Sequence, residues 1–250
     1  MELKIITFNI RCADDENGHS INERAPRLAE AILPYDADII GLQEFTPAWE
    51  THILRDFGES YEIFNQYRAS NNFESTPVLW KRAAFDCLEK RCFWLSDTPE
   101  IESQGWDSIG CKRICMMVRL LHKESGKEIC FMNTHFGFGD PCQIASAELI
   151  YRYSQRAEGL PVMLTGDFNM EPTYPAYATM TSHFTDANAA TTCDRRDTFH
   201  GYFAEGIKRQ HIDYCFVNDR VKPLLTEIIT KDFKGKYPSD HFGIFFTVEV

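Results

Sequence analysis

The residues most able to do chemistry in this chain stand where apolar runs give way to acids and amides. The apolar run 160–164 leads to Gly166, after which Asp167 and Asn169 follow two residues apart. In extended backbone, residues i and i+2 point to the same side, so both side chains would face the space beyond the run. A carboxylate beside a carboxamide suits the binding of a water molecule and a charged oxygen. The same short segment also suits an ordinary strand-to-turn exit.

Other polar residues are placed in the same way beside apolar runs. They are Asn9, Glu44, His135, Asp213, Asp240 and His241. Side chains at strand ends share a crevice when those ends meet. Hard oxygen donors select Mg²⁺ or Mn²⁺ over zinc, and two histidines beside acids supply proton transfer near neutral pH. The sequence therefore predicts a cation-binding acid–base site.

Each of these residues also has an ordinary structural interpretation when it is taken alone. Asn9 suits a cap at a strand end, and Glu44 suits an acid at the start of a helix. A lone His135 is more often a structural histidine. Asp213 is the hardest to explain in this way, because a carboxylate buried in an apolar strand is costly without a partner. We expect that partner to be His241.

The elements that must position these residues follow from hydrophobic periodicity. Strands are predicted at 2–10, 37–42, 160–164, 211–217 and 242–248, with three separate short strands at 77–80, 85–88 and 92–95. A hairpin is predicted with arms at 113–121 and 127–134, and helices are predicted at 24–33, 47–57, 142–157 and 173–181. This alternation favours a single α/β domain over residues 1–250, in which sheet packs on sheet and helices cover the outside.

Composition narrows the class of protein. The chain has 250 residues and a net charge of −11, which argues against a non-specific nucleic-acid binder and fits a carboxylate-rich site that needs a divalent metal. No apolar run approaches the ~20 residues of a membrane span, and no signal peptide is visible. The nine cysteines form no Cys-x-x-Cys pair and predict reduced thiols in a cytoplasmic protein. No obligate protein partner is evident.

The chain resembles the endonuclease/exonuclease/phosphatase superfamily, the DNase I-like hydrolases, in six segments that occur in the order typical of that family. The segments are TFNIR (7–11), GLQE (41–44), NTHF (133–136), TGDFN (165–169), IDY (212–214) and SDH (239–241). The resemblance extends from residue 5 to residue 245. Segments 93–99 and 105–107 further resemble a group of bacterial members with no settled substrate. The resemblance implies a four-layer α/β/β/α sandwich, with two mixed sheets packed face to face.

The resemblance also implies roles for individual residues. Glu44 corresponds to the principal metal ligand, and Asn9 to a ligand or to a neighbour that orients one. Asp240 corresponds to an acid near the metal. Asp167 corresponds to the residue that positions or deprotonates the attacking water, and Asn169 to the amide that holds the phosphoryl oxygen.

The two histidines carry the remaining roles that the resemblance implies. His241 corresponds to the histidine that binds the scissile phosphate or activates water, and Asp213 to the acid that orients it. His135 corresponds to the second histidine, a candidate acid for the leaving oxygen. Glu74 would orient His135, and Arg113 would contact phosphate.

Together these observations predict a phosphoesterase dependent on Mg²⁺ or Mn²⁺ that hydrolyses a P–O bond by direct attack of water. A metal offsets the charge of the anionic ester and lowers the pKa of bound water. The favoured substrate is a phosphodiester in a nucleic acid or nucleotide. A lipid or sugar phosphate is the alternative substrate, and a non-catalytic binding module with the same fold is the alternative of another class. The chain has Gly137 and Phe138 where members of this group often carry an acid and a histidine. This departure leaves the core set of residues intact, but an extra ligand or substrate contact from this loop does not follow from the resemblance.

Overall fold

The computed structural model describes residues 1–191 and 196–250, and two six-stranded mixed sheets dominate it. In the order in which they pair, the strands of the first sheet are β11 (Lys222–Ile229), β12 (Gly243–Glu249), β1 (Glu2–Asn9), β2 (Ile39–Gln43), β4 (Val78–Lys81) and β3 (Tyr61–Phe64). Those of the second sheet are β5 (Phe85–Trp94), β6 (Ile114–His122), β7 (Glu128–His135), β8 (Val162–Asp167), β10 (Asp213–Val217) and β9 (Thr185–Asp186). The pairs β1–β2 and β7–β8 are parallel, and the other pairs are antiparallel.

Helices cover the outer face of each sheet. They are α1 (Ile21–Ile32), α2 (Pro47–Phe57), α3 (Asp140–Ser154) and α4 (Pro175–His183). The short α5 (Ala187–Ala190) instead contributes Ala187 to the core between the sheets. One apolar core packs α1 and α2 on the first sheet, for example Trp49 against strand residues such as Phe8. A second core packs α3 and α4 on the second sheet, with Ile150 and Met180 among its members.

A third apolar core lies between the two sheets. It contains Ile5 and Trp80 from the first sheet and Phe131 and Val217 from the second, all fully buried. The inward-facing residues of both sheets therefore remove their apolar surface from water against each other. The order of layers is helices, sheet, sheet, helices, and the predicted α/β/β/α sandwich is confirmed.

A chain of buried polar side chains joins the two sheets near the ends of their parallel strands. Gln43 Nε2 donates to Asn133 Oδ1 at 2.7 Å, and Thr165 Oγ1 donates to the same oxygen at 3.0 Å. Asn133 Nδ2 donates in turn to the carbonyl oxygen of Leu42 at 2.7 Å. A Cβ at Gly41 would lie 2.5 Å from Asn133 Oδ1, so glycine is needed for this close approach. This polar bridge of Gln43, Asn133 and Thr165 fixes one sheet relative to the other beside the candidate site.

Two edge strands differ from the prediction. Segments 85–88 and 92–95 were expected as separate strands, but a single strand, β5, runs through both with a register shift between Cys87 and Glu89. That irregularity interrupts the alternation of apolar and polar residues. Strand β11 was not predicted, because it is an edge strand whose first four residues are largely exposed and include Pro223.

Two further observations concern surroundings and redox state. Among residues 1–191 and 196–250, no helix has both the length and the apolar character that a membrane crossing requires. The eight cysteines within these ranges are all free thiols, and four of them, including Cys115 and Cys130, are buried. Cys193 lies outside the described residues.

Candidate active site

The strand ends that were predicted to carry the site meet at one edge of the sandwich. In the parallel pair β1–β2, Asn9 is aligned with Gln43, so Glu44 follows at the same edge. In the parallel pair β7–β8, His135 is aligned with Asp167, and Asp213 lies opposite Asp167 at the start of the antiparallel β10. The register of the two sheets therefore brings the polar ends of the strands together.

Glu44 has a backbone φ of 60° and a carboxylate whose two oxygens are both held. Oε1 accepts from Asn9 Nδ2 at 3.1 Å, and Oε2 accepts from the backbone N–H of Cys12 at 2.8 Å. Burial would raise the pKa of Glu44, but positive charge at His135 and hydrogen bonding from Cys12 lower this pKa to about 2. The hydrogen bond from Cys12 and the positive charge of His241 persist when His135 is neutral, and both favour the carboxylate form of Glu44. A non-glycine residue in the left-handed region costs about 1–2 kcal/mol, a strain typical of functional positions.

Asn9 connects two of the acids. Its Nδ2 donates to Glu44 Oε1 and also to Asp167 Oδ2 at 2.9 Å, and its Oδ1 accepts from the backbone N–H of Arg11 at 3.0 Å. Both ends of this fully buried amide are therefore engaged within the protein. The contacts fix the carboxylates of the two sheets relative to each other.

Asp167 lies at the centre of the cluster. Its Oδ1 accepts from the backbone N–H of Asn169 at 2.9 Å. Its Oδ2 lies 3.5 Å from His135 Nε2 and 3.7 Å from His241 Nε2. Burial and the negative charge of Asp213 raise the pKa of Asp167 to about 7. A carboxyl group with a pKa near neutrality can exchange a proton at physiological pH.

His241 and Asp213 form a buried ion pair. His241 Nδ1 lies 2.9 Å from Asp213 Oδ2, and both side chains are almost fully buried. Burial would lower the pKa of His241, but the charge and hydrogen bond of Asp213 raise this pKa to about 10. The imidazole is therefore positively charged at neutral pH and directs Nε2 towards Asp167. Asp213 Oδ1 is buried and has no hydrogen-bond partner among the described residues.

His135 has a different environment. Its Nδ1 lies 3.8 Å from Glu74 Oε1 and makes no hydrogen bond to any described residue. Burial and the positive charge of Arg113 hold the pKa of His135 well below its usual range, so this imidazole is neutral. Arg68 Nη1 donates to Glu74 Oε1 at 2.5 Å, and Arg113 Nη1 lies 4.0 Å from the same oxygen. Glu74 is therefore fixed beside His135 by two arginines.

Gly137 departs from the pattern of the family, and the structure gives a steric reason for a glycine here. A Cβ at this position would lie 2.6 Å from Asp107 Oδ2. The same oxygen accepts a 2.9 Å hydrogen bond from Arg113 Nε, and both partners are buried. The next residue, Phe138, has its ring 5.8 Å from the Arg113 guanidinium carbon. The glycine therefore gives space to the carboxylate that holds Arg113.

Asp240 precedes His241 and lies beside a cation. Its Oδ1 accepts from Ser239 Oγ at 3.2 Å, and its Oδ2 lies 3.7 Å from Arg11 Nε. Burial raises the pKa of Asp240, and the negative charge of Glu44 acts in the same direction while His241 opposes it. Glu44 and Asp240 therefore repel each other in a site that is largely shielded from water, and a bound cation would reduce this repulsion.

The predicted residues converge on a single cleft with a volume of about 580 Å³. Its lining includes Glu44, Glu74, Arg113, His135, Asp167, Asn169, Asp240 and His241. Asn9 and Asp213 lie behind this surface, where they hold Glu44 and His241. The sequence analysis did not single out Arg68, which holds Glu74, and it included Asp107, which holds Arg113, only within segment 105–107 and without a role. Neither residue is placed beside an apolar run in the way the other site residues are, so hydrophobic periodicity did not indicate that they belong to the site.

The donor set suits a divalent cation. Glu44 and Asp240 offer hard oxygen ligands on the cleft surface, and these are the atoms that Mg²⁺ and Mn²⁺ prefer. Ligand-type atoms of Asp167, Asp213 and His241 also lie within 4.8 Å of one another. In that second group His241 already shares a hydrogen bond with Asp213 through Nδ1, which makes it better suited to proton transfer than to metal binding.

The fold and the site define a DNase I-like α/β/β/α sandwich with an acid–histidine centre. A sequence model described as the Endonuclease/Exonuclease/phosphatase family matches residues 6–107. A crystal structure of a protein of that family from Bacteroides thetaiotaomicron has 26% sequence identity and a TM-score of 0.89, and the match covers 99% of this chain and 97% of that chain. The resemblance to the endonuclease/exonuclease/phosphatase family is thereby confirmed.

Two further relatives bear on function. A mannosyl-6-phosphatase from Bacteroides thetaiotaomicron has 27% identity and a TM-score of 0.87, with coverage of 99% of this chain and 100% of that chain. Nocturnin from Drosophila melanogaster is 27% identical over 292 residues, which cover 94% of this chain and 42% of nocturnin. The chain therefore spans less than half the length of that relative. Endonucleases, exonucleases and phosphatases all hydrolyse phosphoesters, so the family match supports a phosphoester hydrolase.

Proposed function

We propose that the protein is a divalent-metal-dependent phosphoesterase that hydrolyses a P–O bond by direct attack of water. The observation that carries this proposal is the position of Asp167, whose Oδ2 lies within 4 Å of the Nε2 atoms of both histidines, at 3.5 and 3.7 Å. One carboxylate thus lies between a neutral imidazole and a charged one. Such an arrangement supplies a proton acceptor and a positive hydrogen-bond donor to the same small volume.

Glu44 and Asp240 would hold the metal ion. When bound, Mg²⁺ or Mn²⁺ offsets the negative charge of the ester and lowers the pKa of bound water. Asn9 orients the carboxylate of Glu44 instead of binding the ion itself, because its amide is fully buried behind the cleft surface and its Nδ2 donates to Glu44 and Asp167. The resemblance left two roles open for Asn9, a metal ligand or a neighbour that orients one, and we propose the second.

Asp167 positions the attacking water and accepts its proton. Its carboxylate is fixed by the Asn9 amide and by the Asn169 backbone N–H, so the acceptor oxygen does not have to reorganise during reaction. Asn169 Nδ2 donates one hydrogen to the carbonyl oxygen of Phe136. The second hydrogen of that amide is the one proposed to hold a phosphoryl oxygen.

The two histidines differ in charge and therefore in role. His241, kept positive by Asp213, donates from Nε2 to a phosphoryl oxygen and stabilises the charge that develops there. His135 is neutral in the free protein, so it donates a hydrogen bond to the leaving oxygen, which takes up a proton from solvent as the P–O bond breaks. Glu74, 3.8 Å from His135 Nδ1, orients this ring.

The favoured substrate is a phosphodiester in a nucleic acid or nucleotide. The net charge of −11 makes a long polyanion a poor partner and favours a small or single-stranded substrate. A sugar phosphate is the second candidate, because one of the two Bacteroides relatives is a mannosyl-6-phosphatase. A non-catalytic binding module is disfavoured, since no member of the acid–histidine set is missing from the cleft.

The decisive experiment compares wild type with Asp167→Asn on an aryl phosphodiester and an aryl phosphomonoester, with Mg²⁺ or Mn²⁺. We expect the variant to lose at least about a hundredfold in rate, because general acid–base groups contribute about 10²–10⁴-fold. Asp86→Asn is the matched control, since Asp86 is an exposed acid on β5. Equal rates in wild type and Asp167→Asn would reject the proposed function.

We also propose that residues 1–250 form one catalytic domain and work in the cytoplasm, without an obligate protein partner. The first sheet supports the single domain, because β12 near the end of the chain pairs with β1 at its start. The free thiols among the described residues support a reducing compartment.

A further inference from the structure

The cleft that holds the proposed catalytic residues has apolar side chains on its walls. Ile109, Phe138 and Ile207 line it, with 62%, 41% and 47% of their surface exposed. Single exposed apolar residues are common on protein surfaces, but several around one concave site mark a ligand-binding surface. These residues take no part in the proposed proton transfers, so their exposure needs another explanation.

The apolar residues form two separate walls of the cleft. Ile109 follows Ser108, whose backbone N–H donates to the carbonyl oxygen of Phe138 at 3.3 Å, so Ile109 and Phe138 belong to one wall. Ile207 belongs to another segment and packs over Gly201, where a Cβ would lie 2.5 Å from Ile207 Cγ2. Gly201 has a φ of 53°, so its backbone and its packing both favour glycine.

Several other polar side chains of the cleft are engaged in hydrogen bonds within the protein. Gln210 Nε2 donates to Glu171 Oε1 at 2.8 Å. Asp15 accepts from Arg11 Nε and NH2 at 3.0 and 3.2 Å, and the Tyr202 hydroxyl donates to the same carboxylate at 3.3 Å. A sugar with several hydroxyl groups would have to compete with these contacts, whereas an apolar group would not.

We propose that the substrate is a small phosphoester whose organic part carries an apolar group, and that this group packs against Phe138, Ile109 and Ile207. The proposal rests on the proposed phosphoesterase function and names the substrate class of that same site. The phosphate lies at Asp167 and His241, and the apolar group extends along the cleft wall. Arg113, 5.8 Å from the Phe138 ring, places a cation beside the junction of the two parts.

The test uses three monoesters that are all esters of primary alcohols: 2-phenylethyl phosphate, ethyl phosphate and mannose 6-phosphate. Their methyl diesters are assayed in parallel, so that either a monoesterase or a diesterase is detected. We expect kcat/KM for the phenylethyl ester to exceed that for the ethyl ester by at least about tenfold, because one extra methylene alone is worth about 10–200-fold in a fitted apolar pocket.

Variants then test whether the apolar side chains of the cleft wall cause the preference for the phenylethyl ester. Phe138→Ser and Ile207→Ser should each move the ratio of the two kcat/KM values towards one. Leu88→Ser is the matched control, because Leu88 is 46% exposed on β5 and does not line the cleft, so its ratio should equal that of wild type. Circular dichroism verifies folding, and Ile207→Ser carries the test if Phe138→Ser does not fold.

The outcomes separate this inference from the proposed function. Turnover of all esters without preference for the phenylethyl group overturns the inference and leaves the phosphoesterase standing. A preference for mannose 6-phosphate also overturns it, in favour of a sugar phosphate. Absence of turnover with every ester and either metal overturns the inference, while the comparison of wild type with Asp167→Asn on the aryl esters decides the proposed function separately.

Discussion

Asp167 and Asp213 lie directly opposite each other across the antiparallel pair of β8 and β10. Like charges at opposed positions of a sheet repel, and both of these carboxyl groups are buried. His241 relieves the repulsion, since Nδ1 contacts Asp213 at 2.9 Å and Nε2 lies 3.7 Å from Asp167. Burial and the negative charge of Asp213 raise the pKa of Asp167 to about 7 although the imidazolium acts in the opposite direction, and the same Asp213 raises the pKa of His241 to about 10.

The first prediction concerns this shared charge. Asp213→Asn should lower the pKa of His241 from about 10 towards the usual range near 6.5, because the largest source of stabilisation for the imidazolium is removed. Nuclear magnetic resonance titration of the ring measures this pKa directly. We expect kcat to fall by at least about a hundredfold at pH 8, where the variant's histidine is neutral. An unchanged titration of His241 would contradict the assignment.

The second prediction concerns the metal. A chelator should abolish activity, and Mg²⁺ or Mn²⁺ should restore it. Glu44→Gln should raise the metal concentration required for half-maximal activity by about 10–100-fold, a loss on the scale seen when partners of metal ligands are removed. Glu50→Gln, at an exposed position on α2, is the control. If both variants required the same concentration of metal, Glu44 would not be a ligand.

The third prediction concerns the polar bridge between the sheets. Asn133→Ala should lower the free energy of unfolding by roughly 2–4 kcal/mol, because buried partners such as Gln43 Nε2 and the Leu42 carbonyl oxygen lose their hydrogen bonds. Urea denaturation measures the change. Asn22→Ala, at an exposed position on α1, should change stability by less than about 0.5 kcal/mol. Similar losses in the two variants would show that the bridge does not stabilise the fold.

The fourth prediction concerns His200, which is buried and whose ring nitrogens have no hydrogen-bond partner among the described residues. Burial lowers its pKa to about 3. The unfolded chain, with a pKa near 6.5, then binds more protons than the folded one between about pH 6.5 and pH 3. Stability should therefore fall with decreasing pH in this window, by about 1.4 kcal/mol per pH unit from this residue.

Replacement of this histidine tests the pH dependence. His200→Leu should make the free energy of unfolding fall less steeply between pH 6.5 and pH 4, as measured by denaturation at a series of pH values. His52→Leu is the control, because His52 is only partly buried and hydrogen-bonds to an exposed asparagine. Parallel curves for wild type and His200→Leu would exclude His200 as a source of acid sensitivity.

The sequence predicted the parts of the site that follow from strand periodicity. Asn9, Glu44, His135 and Asp167 end or follow parallel strands, and parallel strands of one register bring their carboxyl ends to one edge. Helix α2 was predicted with the bounds that the structure has, Pro47–Phe57, because proline at the first position marks its start and its apolar face repeats with helical spacing.

The missed features depend on contacts that periodicity does not encode. Arg68 reaches Glu74 from a segment without regular structure. The carboxylate of Asp107 occupies space over Gly137, a residue 30 positions away, so the reason for that glycine became visible only in three dimensions. The exposed strand β11 buries few of its first residues and therefore lacks an alternating pattern.

The positions of the cleft-wall residues in the fold have a consequence for proteins that share this architecture. Ile109, Phe138 and Ile207 stand on connecting segments, whereas Glu44, Asp167 and Asp213 stand at the ends of strands locked by the core. If the proposed function holds, exchange of a few loop side chains would redirect hydrolysis to another ester without disturbing the proposed reactive groups. The architecture permits selectivity to diversify while the hydrolytic machinery is inherited unchanged.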